Sequence, residues 1–126
     1  MNAMLRGRTI LVVEDQPLIA LDIVESLRKS GASVLTALTL QEGLRVAEHP
    51  QLSAAILDFA LGHENCLPLC VRLRDRQIPF VVHSGYADVP ALCGHGVIVP
   101  KPATSETLVN ALAHIFDIPR RAERAN

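Results

Sequence analysis

Acidic residues stand directly after two of the most apolar stretches of the chain. Glu14 and Asp15 follow Thr9–Val13, and Asp58 follows the apolar residues 54–57. Three carboxylates brought together would repel one another unless a hard divalent cation lay among them, and oxygen-only ligation suits Mg²⁺. Any one of these acids could instead cap the helix that follows it. All three together favour a metal-binding acidic site.

Two further polar residues end later apolar stretches. Ser84 follows residues 79–83, and Lys101 lies between Pro100 and Pro102 after residues 96–99. Because the two prolines restrict how the chain leaves the strand, we expect Lys101 to point into the acidic site rather than into solvent. A site with carboxylates, a hydroxyl and a cation is suited to phosphoryl chemistry, in which a protein contributes mainly positioning and charge neutralisation.

The elements that must position these residues alternate between two patterns. Five short, apolar and often β-branched stretches alternate with helical patterns, which begin at Pro17, after Thr39, at Leu67 and after Thr104. Continuously apolar strands are typical of a parallel sheet that is buried on both faces. The sequence therefore predicts an α/β fold, a doubly wound five-stranded parallel sheet with helices on both faces. Its ligand site would lie at the carboxyl ends of the strands.

Composition limits the partners and the location of the protein. The chain has 126 residues, 12 Lys and Arg against 13 Asp and Glu, and only three Phe and one Tyr. Near-neutral charge and few stacking side chains argue against nucleic acid as a partner. No apolar stretch is long enough for a membrane span, so a cytoplasmic protein is expected. We expect a disordered start or expression remnant at 1–7, one domain at 8–117, and a polar tail or linker at 118–126.

The motifs together resemble those of response-regulator receiver domains of two-component signalling, over residues 8–116. They are Leu-Val-Val-Glu-Asp at 11–15, Ile-Leu-Asp at 56–58, Ser84-Gly85 and Lys101-Pro102. The resemblance implies a flavodoxin-like sheet with strand order 2-1-3-4-5. It also implies that Asp58 accepts a phosphoryl group from a histidine kinase or a histidine phosphotransfer protein. The chain would then be a conformational switch for partner binding and not a turnover enzyme, with a second copy of itself as a further possible partner.

The resemblance also implies a role for each residue of the site. Asp58 and Asp15 would bind Mg²⁺ directly, Glu14 would bind it through water, and the backbone carbonyl of Ala60 would complete the protein ligands. Lys101 and Ser84 would contact the phosphoryl group, and the Lys101–Pro102 peptide bond would be cis.

Three features depart from the family pattern. Ile98 occupies the position, three before Lys101, where receivers carry an aromatic switch residue. The 17 positions from Ser84 to Lys101 are fewer than usual, which predicts that the helix between the fourth and fifth strands is short or absent. Ser-Gly-Tyr at 84–86 resembles a subset of receivers found as single domains or beside histidine kinases, and Tyr86 could replace the missing ring. We expect residues 87–95 to be the most mobile segment, where phosphorylation is expressed.

Two pairs of side chains allow more than one interpretation. Leu18 and Leu21 fall on the outward side of the first helix, where they are either a docking contact for the phosphodonor or single exposed apolar residues. Cys66 and Cys70 are either small core residues or part of a metal site, and the absence of a second cysteine pair favours the core.

Two alternative functions remain at this point. An aspartyl-nucleophile phosphatase would need a second Asp two residues after the first, and Ala60 stands there. A receiver-like scaffold that binds partners without phosphorylation is favoured by Ile98 and the shortened segment, but disfavoured by the complete acidic set and Lys101.

Overall fold

The main sheet contains five parallel strands. The computed structural model describes residues 3–85 and 96–125, with the backbone alone beyond residue 117. The strands are β1 (Thr9–Val13), β2 (Ser33–Ala37), β3 (Leu52–Asp58), β4 (Phe80–Ser84) and β5 (Val97–Pro100). They are arranged in the order β2-β1-β3-β4-β5. The predicted doubly wound sheet and its strand order are confirmed.

Helices cover both faces of this sheet. They are α1 (Pro17–Lys29), α2 (Leu40–Val46), α3 (Leu67–Asp75) and α4 (Ser105–Ala125). Side chains alternate along each strand, so Leu11 and Val13 pack with α2 and α3, whereas Ile10 and Val12 pack with α1 and α4. The sheet therefore separates two apolar cores, and its strands are apolar on both sides for that reason.

Threonine hydroxyls cap two of the predicted helices. The Thr39 hydroxyl accepts a hydrogen bond of 3.1 Å from the backbone N–H of Glu42. The Thr104 hydroxyl accepts one of 3.1 Å from the N–H of Thr107. Each hydroxyl satisfies a backbone donor that has no partner within its helix, which anchors the turn leading from the sheet into α2 or α4.

Residues 3–7, part of the segment expected to be disordered, lie within the described structure. Ala3–Leu5 forms a short 3₁₀ helix, and Leu5 is fully buried in the core beneath α1 and α4. The guanidinium of Arg8 lies 3.7 Å from the centre of the Phe116 ring, which links this start to α4. A single leucine in a polar stretch has no periodicity, so its burial was not apparent from the sequence.

The last helix runs through most of the predicted tail, because α4 extends to Ala125. Pro119 removes one backbone donor from the helix, but the following residues Arg-Arg-Ala-Glu-Arg-Ala all favour helix formation. In the described ranges, no helix is both long and apolar enough to cross a membrane. The predictions for Tyr86, for the helix after β4 and for residues 87–95 lie outside the described residues.

One element was not predicted. Ala60–Leu61 and Glu64–Asn65 pair as a small antiparallel hairpin immediately after β3. Its turn begins with Gly62 at a φ of 65°, a conformation that glycine adopts without strain. The hairpin occupies the connection between β3 and α3, at the edge of the sheet where the acidic residues lie.

Candidate functional site

Neighbouring strand ends bring the three predicted carboxylates together. β1 and β3 pair in register, with Val13 opposite Leu57, so the next residues, Glu14 and Asp58, end adjacent strands. One carboxylate oxygen from each of Glu14, Asp15 and Asp58 lies within 4.8 Å of the others. The donor set contains only oxygen atoms, as Mg²⁺ prefers, and it fits a hard divalent cation.

Burial makes this cluster electrostatically costly. Glu14 and Asp58 are 2% and 3% exposed, whereas Asp15 is half-buried. Burial, together with the hydrogen bond and the charge of the neighbouring Asp58, raises the pKa of Glu14 from 4.5 to about 8. The backbone N–H of Gln16 donates to Glu14 Oε1 at 3.1 Å and opposes this shift only in part. Without a cation, the raised pKa therefore favours the protonated form of Glu14 in the folded protein.

Lys101 reaches into the cluster, as the sequence predicted. Its Nζ lies 3.0 Å from Oδ1 and 3.1 Å from Oδ2 of Asp58. Its backbone N–H donates to the Ser84 carbonyl oxygen at 2.8 Å, which continues the pairing of β5 with β4 past the end of the strand. The Lys101–Pro102 peptide bond is cis, as expected. The ammonium group therefore balances part of the acidic charge in this structure.

Ser84 ends the strand next to β3, and Ala60 lies two residues after Asp58. Ser84 is the last residue of β4 and is 1% exposed. The N–H of Ala60 donates to Asp58 Oδ1 at 3.3 Å, which places the start of the hairpin over the carboxylate. A Cβ at Gly85 would lie 3.8 Å from the Lys101 side chain, at ordinary van der Waals distance.

The hairpin makes a contact with the site that the sequence analysis did not predict. The N–H of Gly62 donates to Asp15 Oδ2 at 2.9 Å, across 47 positions of the chain. This bond orients one of the three carboxylates from the hairpin. The local signal was Gly62 at the first position of a two-residue turn, which is typical of a hairpin.

His83 lies beside this site and is almost fully buried, at 6% exposure. Neither ring nitrogen has a hydrogen-bond partner among the described residues. Burial, and then the nearby charge of Lys101, lowers the pKa of His83. The lowered pKa favours the neutral form of this packed side chain.

The remaining candidate residues lie around the site. Ile98 is half-buried and packs against the core beneath α2 and α3. Leu18 is 82% and Leu21 50% exposed on α1, so both face solvent as predicted. Leu18 borders a groove of about 590 Å³ between α1 and the start of α4, which is also lined by His83 and Lys101. The groove thus shares Lys101 with the acidic cluster.

The arrangement matches one protein family. A family profile described as the response regulator receiver domain matches residues 10–113. The chain belongs to the response-regulator receiver family. The resemblance drawn from the motifs is thus confirmed, and a comparison with curated proteins gives no match.

Solved receiver structures share the fold at low sequence identity. A CheY-like receiver domain protein from Methanospirillum hungatei JF-1 has a TM-score of 0.78 at 22% identity, covering 91% of this chain and 98% of that one. TrrA from Thermotoga maritima, solved in complex with Mg(2+)-BeF, has a TM-score of 0.74 at 20% identity, with coverage of 86% and 98%. The receiver domain of the hybrid histidine kinase CckA has a TM-score of 0.72 at 25% identity, with coverage of 86% and 98%.

Proposed function

We propose that this receiver domain accepts a phosphoryl group on Asp58 in the presence of Mg²⁺ and switches conformation for a partner. The observation that carries the proposal is the Lys101–Asp58 ion pair inside a cluster that also contains Glu14 and Asp15. A buried carboxylate held between two further acids and a cation is arranged for charge neutralisation, which is what phosphoryl transfer requires of a protein.

One carboxylate oxygen of Asp58 would attack the phosphorus of the donor. A phosphorus–oxygen bond then forms as the bond from phosphorus to the donor nitrogen or oxygen breaks, and its electron pair leaves with the donor. Lys101 would move from Asp58 to a phosphoryl oxygen, and the Ser84 hydroxyl would donate to another. The hydrogen bond from Ala60 to Asp58 Oδ1 holds the carboxylate in position during the attack.

The residues that would hold Mg²⁺ are Asp58, Asp15, Glu14 through water, and the carbonyl of Ala60. When bound, the ion supplies positive charge that offsets the charge of the carboxylates and of the phosphoryl oxygens. The pKa of Glu14 is raised first by burial and then by Asp58, and a cation bound among the carboxylates would favour its charged form. Gly62 keeps the Asp15 carboxylate turned toward the other two through its 2.9 Å hydrogen bond.

The phosphodonor would be a cytoplasmic histidine kinase or a histidine phosphotransfer protein that docks at the groove beside α1. Leu18 and Leu21 give this edge an exposed apolar surface next to the acidic Asp22, and Lys101 connects the groove to Asp58. A helix laid across the groove would cover Leu18 and bring its phosphorylated side chain to the edge of the sheet where Asp58 lies.

One observation favours a second function, a scaffold that binds partners without phosphorylation. Ile98 packs against the core in the position of the family's aromatic switch, so the usual movement of a ring between core and surface has no counterpart there. The phosphatase alternative has no such support, because Ala60 offers no side-chain acid. We therefore place the chain among signalling domains and not among turnover enzymes.

Intact-mass measurement tests the proposal. The protein is incubated with acetyl phosphate with and without Mg²⁺, and it should gain the mass of one phosphoryl group only with the metal. Asp58→Asn should abolish this gain, whereas the exposed control Asp75→Asn should leave it unchanged. No gain in the parent protein would favour the scaffold, and a gain in Asp58→Asn would show that the acceptor is assigned wrongly.

A further inference from the structure

Two thiols lie against each other at the start of α3, directly after the connection that leaves Asp58. Cys66 and Cys70 are both fully buried in the core beneath α2 and α3. Their Sγ atoms are 3.7 Å apart, and the two residues are not joined by a disulfide. The phosphoryl chemistry proposed above uses neither of them.

Their position on the helix decides what joining them would do. Residues one turn apart on a helix have Cβ atoms about 5–6 Å apart, whereas a disulfide needs about 3.5–4.5 Å. A bond between them therefore requires the backbone at one end of the pair to move. Cys66 is the N-cap residue of α3, whereas Cys70 lies within its regular turns, so a shift of Cys66 disturbs fewer helical hydrogen bonds than a shift of Cys70. The hydrogen bond of 2.9 Å from the Cys70 N–H to the Cys66 carbonyl is the first that this movement would strain.

Cys66 is also tied to the phosphoacceptor. Its N–H donates to the Phe59 carbonyl oxygen at 2.9 Å, and the Phe59 N–H donates to the His83 carbonyl oxygen at 3.0 Å. Phe59 lies between Asp58 and Ala60, so it connects the nucleophile to the carbonyl assigned to Mg²⁺. A displacement of Cys66 is thereby transmitted through one hydrogen bond to the backbone of the metal site.

We propose that Cys66 and Cys70 form a redox-sensitive dithiol, which a small hydroperoxide oxidises to an internal disulfide, and that this oxidation lowers the affinity of the site for Mg²⁺. The effect on Mg²⁺ rests on the function proposed above, whereas disulfide formation does not. Internal disulfides in reducing compartments are usually transient and regulatory, which fits a pair placed beside a signalling site.

The chemistry balances with hydrogen peroxide as the oxidant. The Cys66 thiolate attacks one peroxide oxygen, the O–O bond breaks, and hydroxide leaves and takes up the thiol proton as water. The Cys70 thiolate then attacks the sulfur of this sulfenic acid, the S–O bond breaks, and hydroxide leaves to form a second water. Two thiols lose two electrons and two protons, and peroxide is reduced to two waters. Because both thiols are buried, the reaction proceeds when the first turn of α3 opens, and it favours the smallest oxidants.

The experiment uses the full chain carrying Cys93→Ser, so that Cys66 and Cys70 are the only thiols. The protein is treated with hydrogen peroxide, and peptide mass spectrometry should find peptides containing Cys66 and Cys70 joined, with the loss of two hydrogen atoms. Cys70→Ala should leave a sulfenic acid on Cys66, trapped by dimedone, and no disulfide. Cys66→Ala provides the reciprocal control, and both replacements keep a small apolar side chain in the core.

The consequence is measured on reduced and oxidised protein. Oxidation should weaken Mg²⁺ binding about tenfold or more, as expected when the groups that orient metal ligands are disturbed, and dithiothreitol should restore it. It should also speed hydrogen exchange of residues 59–66, a measurement that needs no metal. The inference would be overturned if no internal disulfide forms. It would also be overturned if the reduced protein binds Mg²⁺ and the disulfide changes neither its hydrogen exchange nor its Mg²⁺ affinity. If reduced protein binds no Mg²⁺ while oxidation still speeds exchange, the redox pair stands and the proposed function fails.

Discussion

Glu14→Gln should stabilise the metal-free protein and at the same time impair its Mg²⁺ binding. In the folded, metal-free chain the pKa of Glu14 is raised from 4.5 to about 8, first by burial and then by Asp58. Between these values the folded state holds a proton that the unfolded chain has released. The free energy of unfolding therefore decreases as pH rises through this interval, in the sense opposite to that of an ordinary paired carboxylate.

The size of the effect follows from the width of this interval. Each pH unit within it lowers the free energy of unfolding by about 1.4 kcal/mol, which amounts to about 3 kcal/mol at about pH 7. Glutamine has nearly the same shape, carries no charge at any pH, and can donate to the Asp58 carboxylate from its amide group. Glu14→Gln should remove this loss. The free energy of unfolding of the variant should therefore be about 3 kcal/mol higher than that of the parent protein at about pH 7, and equal to it below about pH 5.

Urea unfolding followed by circular dichroism in the presence of a chelator measures both proteins across this pH range. Glu25→Gln, an exposed acid on α1, is the control and should retain the pH dependence of the parent. Added Mg²⁺ should then make the parent protein more stable than the variant, because the ion binds the Glu14 carboxylate of the parent and the variant has no carboxylate there. If the free energy of unfolding depends on pH in the same way in the parent protein and in Glu14→Gln, the electrostatic explanation of the cluster is refuted.

Three further substitutions probe other parts of the fold and site. Lys101→Met should bind Mg²⁺ more tightly in a titration, because the ammonium group 3.0 Å from Asp58 repels the ion. Intact-mass measurement should nevertheless show that acetyl phosphate phosphorylates this variant more slowly. Gly96→Ala should lower the free energy of unfolding, measured in urea, by about 1–3 kcal/mol, because the added Cβ would overlap the Phe80 ring. Thr39→Ala should cost about 1 kcal/mol in the same assay through the lost cap of α2.

Residues whose roles depend on strand ends were predictable from the sequence. Glu14, Asp58 and Lys101 follow apolar stretches that are buried on both sides, and a parallel sheet brings the carboxyl ends of such strands to one edge. The assembly of the acidic cluster and the position of the lysine follow from that rule. The cap at Thr39 was equally predictable from the sequence, because a capping residue accepts a hydrogen bond from a donor only three positions away in its own helix.

Features that depend on distant contacts were not predictable in this way. Leu5 is buried because it packs in one core with side chains of α1 and α4, which lie far from it in the chain. The hairpin after β3 has two residues in each strand, too few to show an alternating pattern. Its contact with the site, the hydrogen bond from Gly62 to Asp15, joins residues that are distant in the chain. The groove beside Leu18 is likewise formed by α1 and the start of α4, segments about 80 positions apart in the chain.

The central claim is that Asp58 is the phosphoacceptor of the acidic cluster. The most direct test is reduction of the protein with sodium borohydride after treatment with acetyl phosphate and Mg²⁺, since borohydride converts an acyl phosphate of aspartate to homoserine. Peptide mass spectrometry then locates the modified position. We expect homoserine at position 58, and unreduced side chains at Glu14 and Asp15. Reduction at another carboxylate, or a phosphorylated protein with an unmodified Asp58, would contradict it.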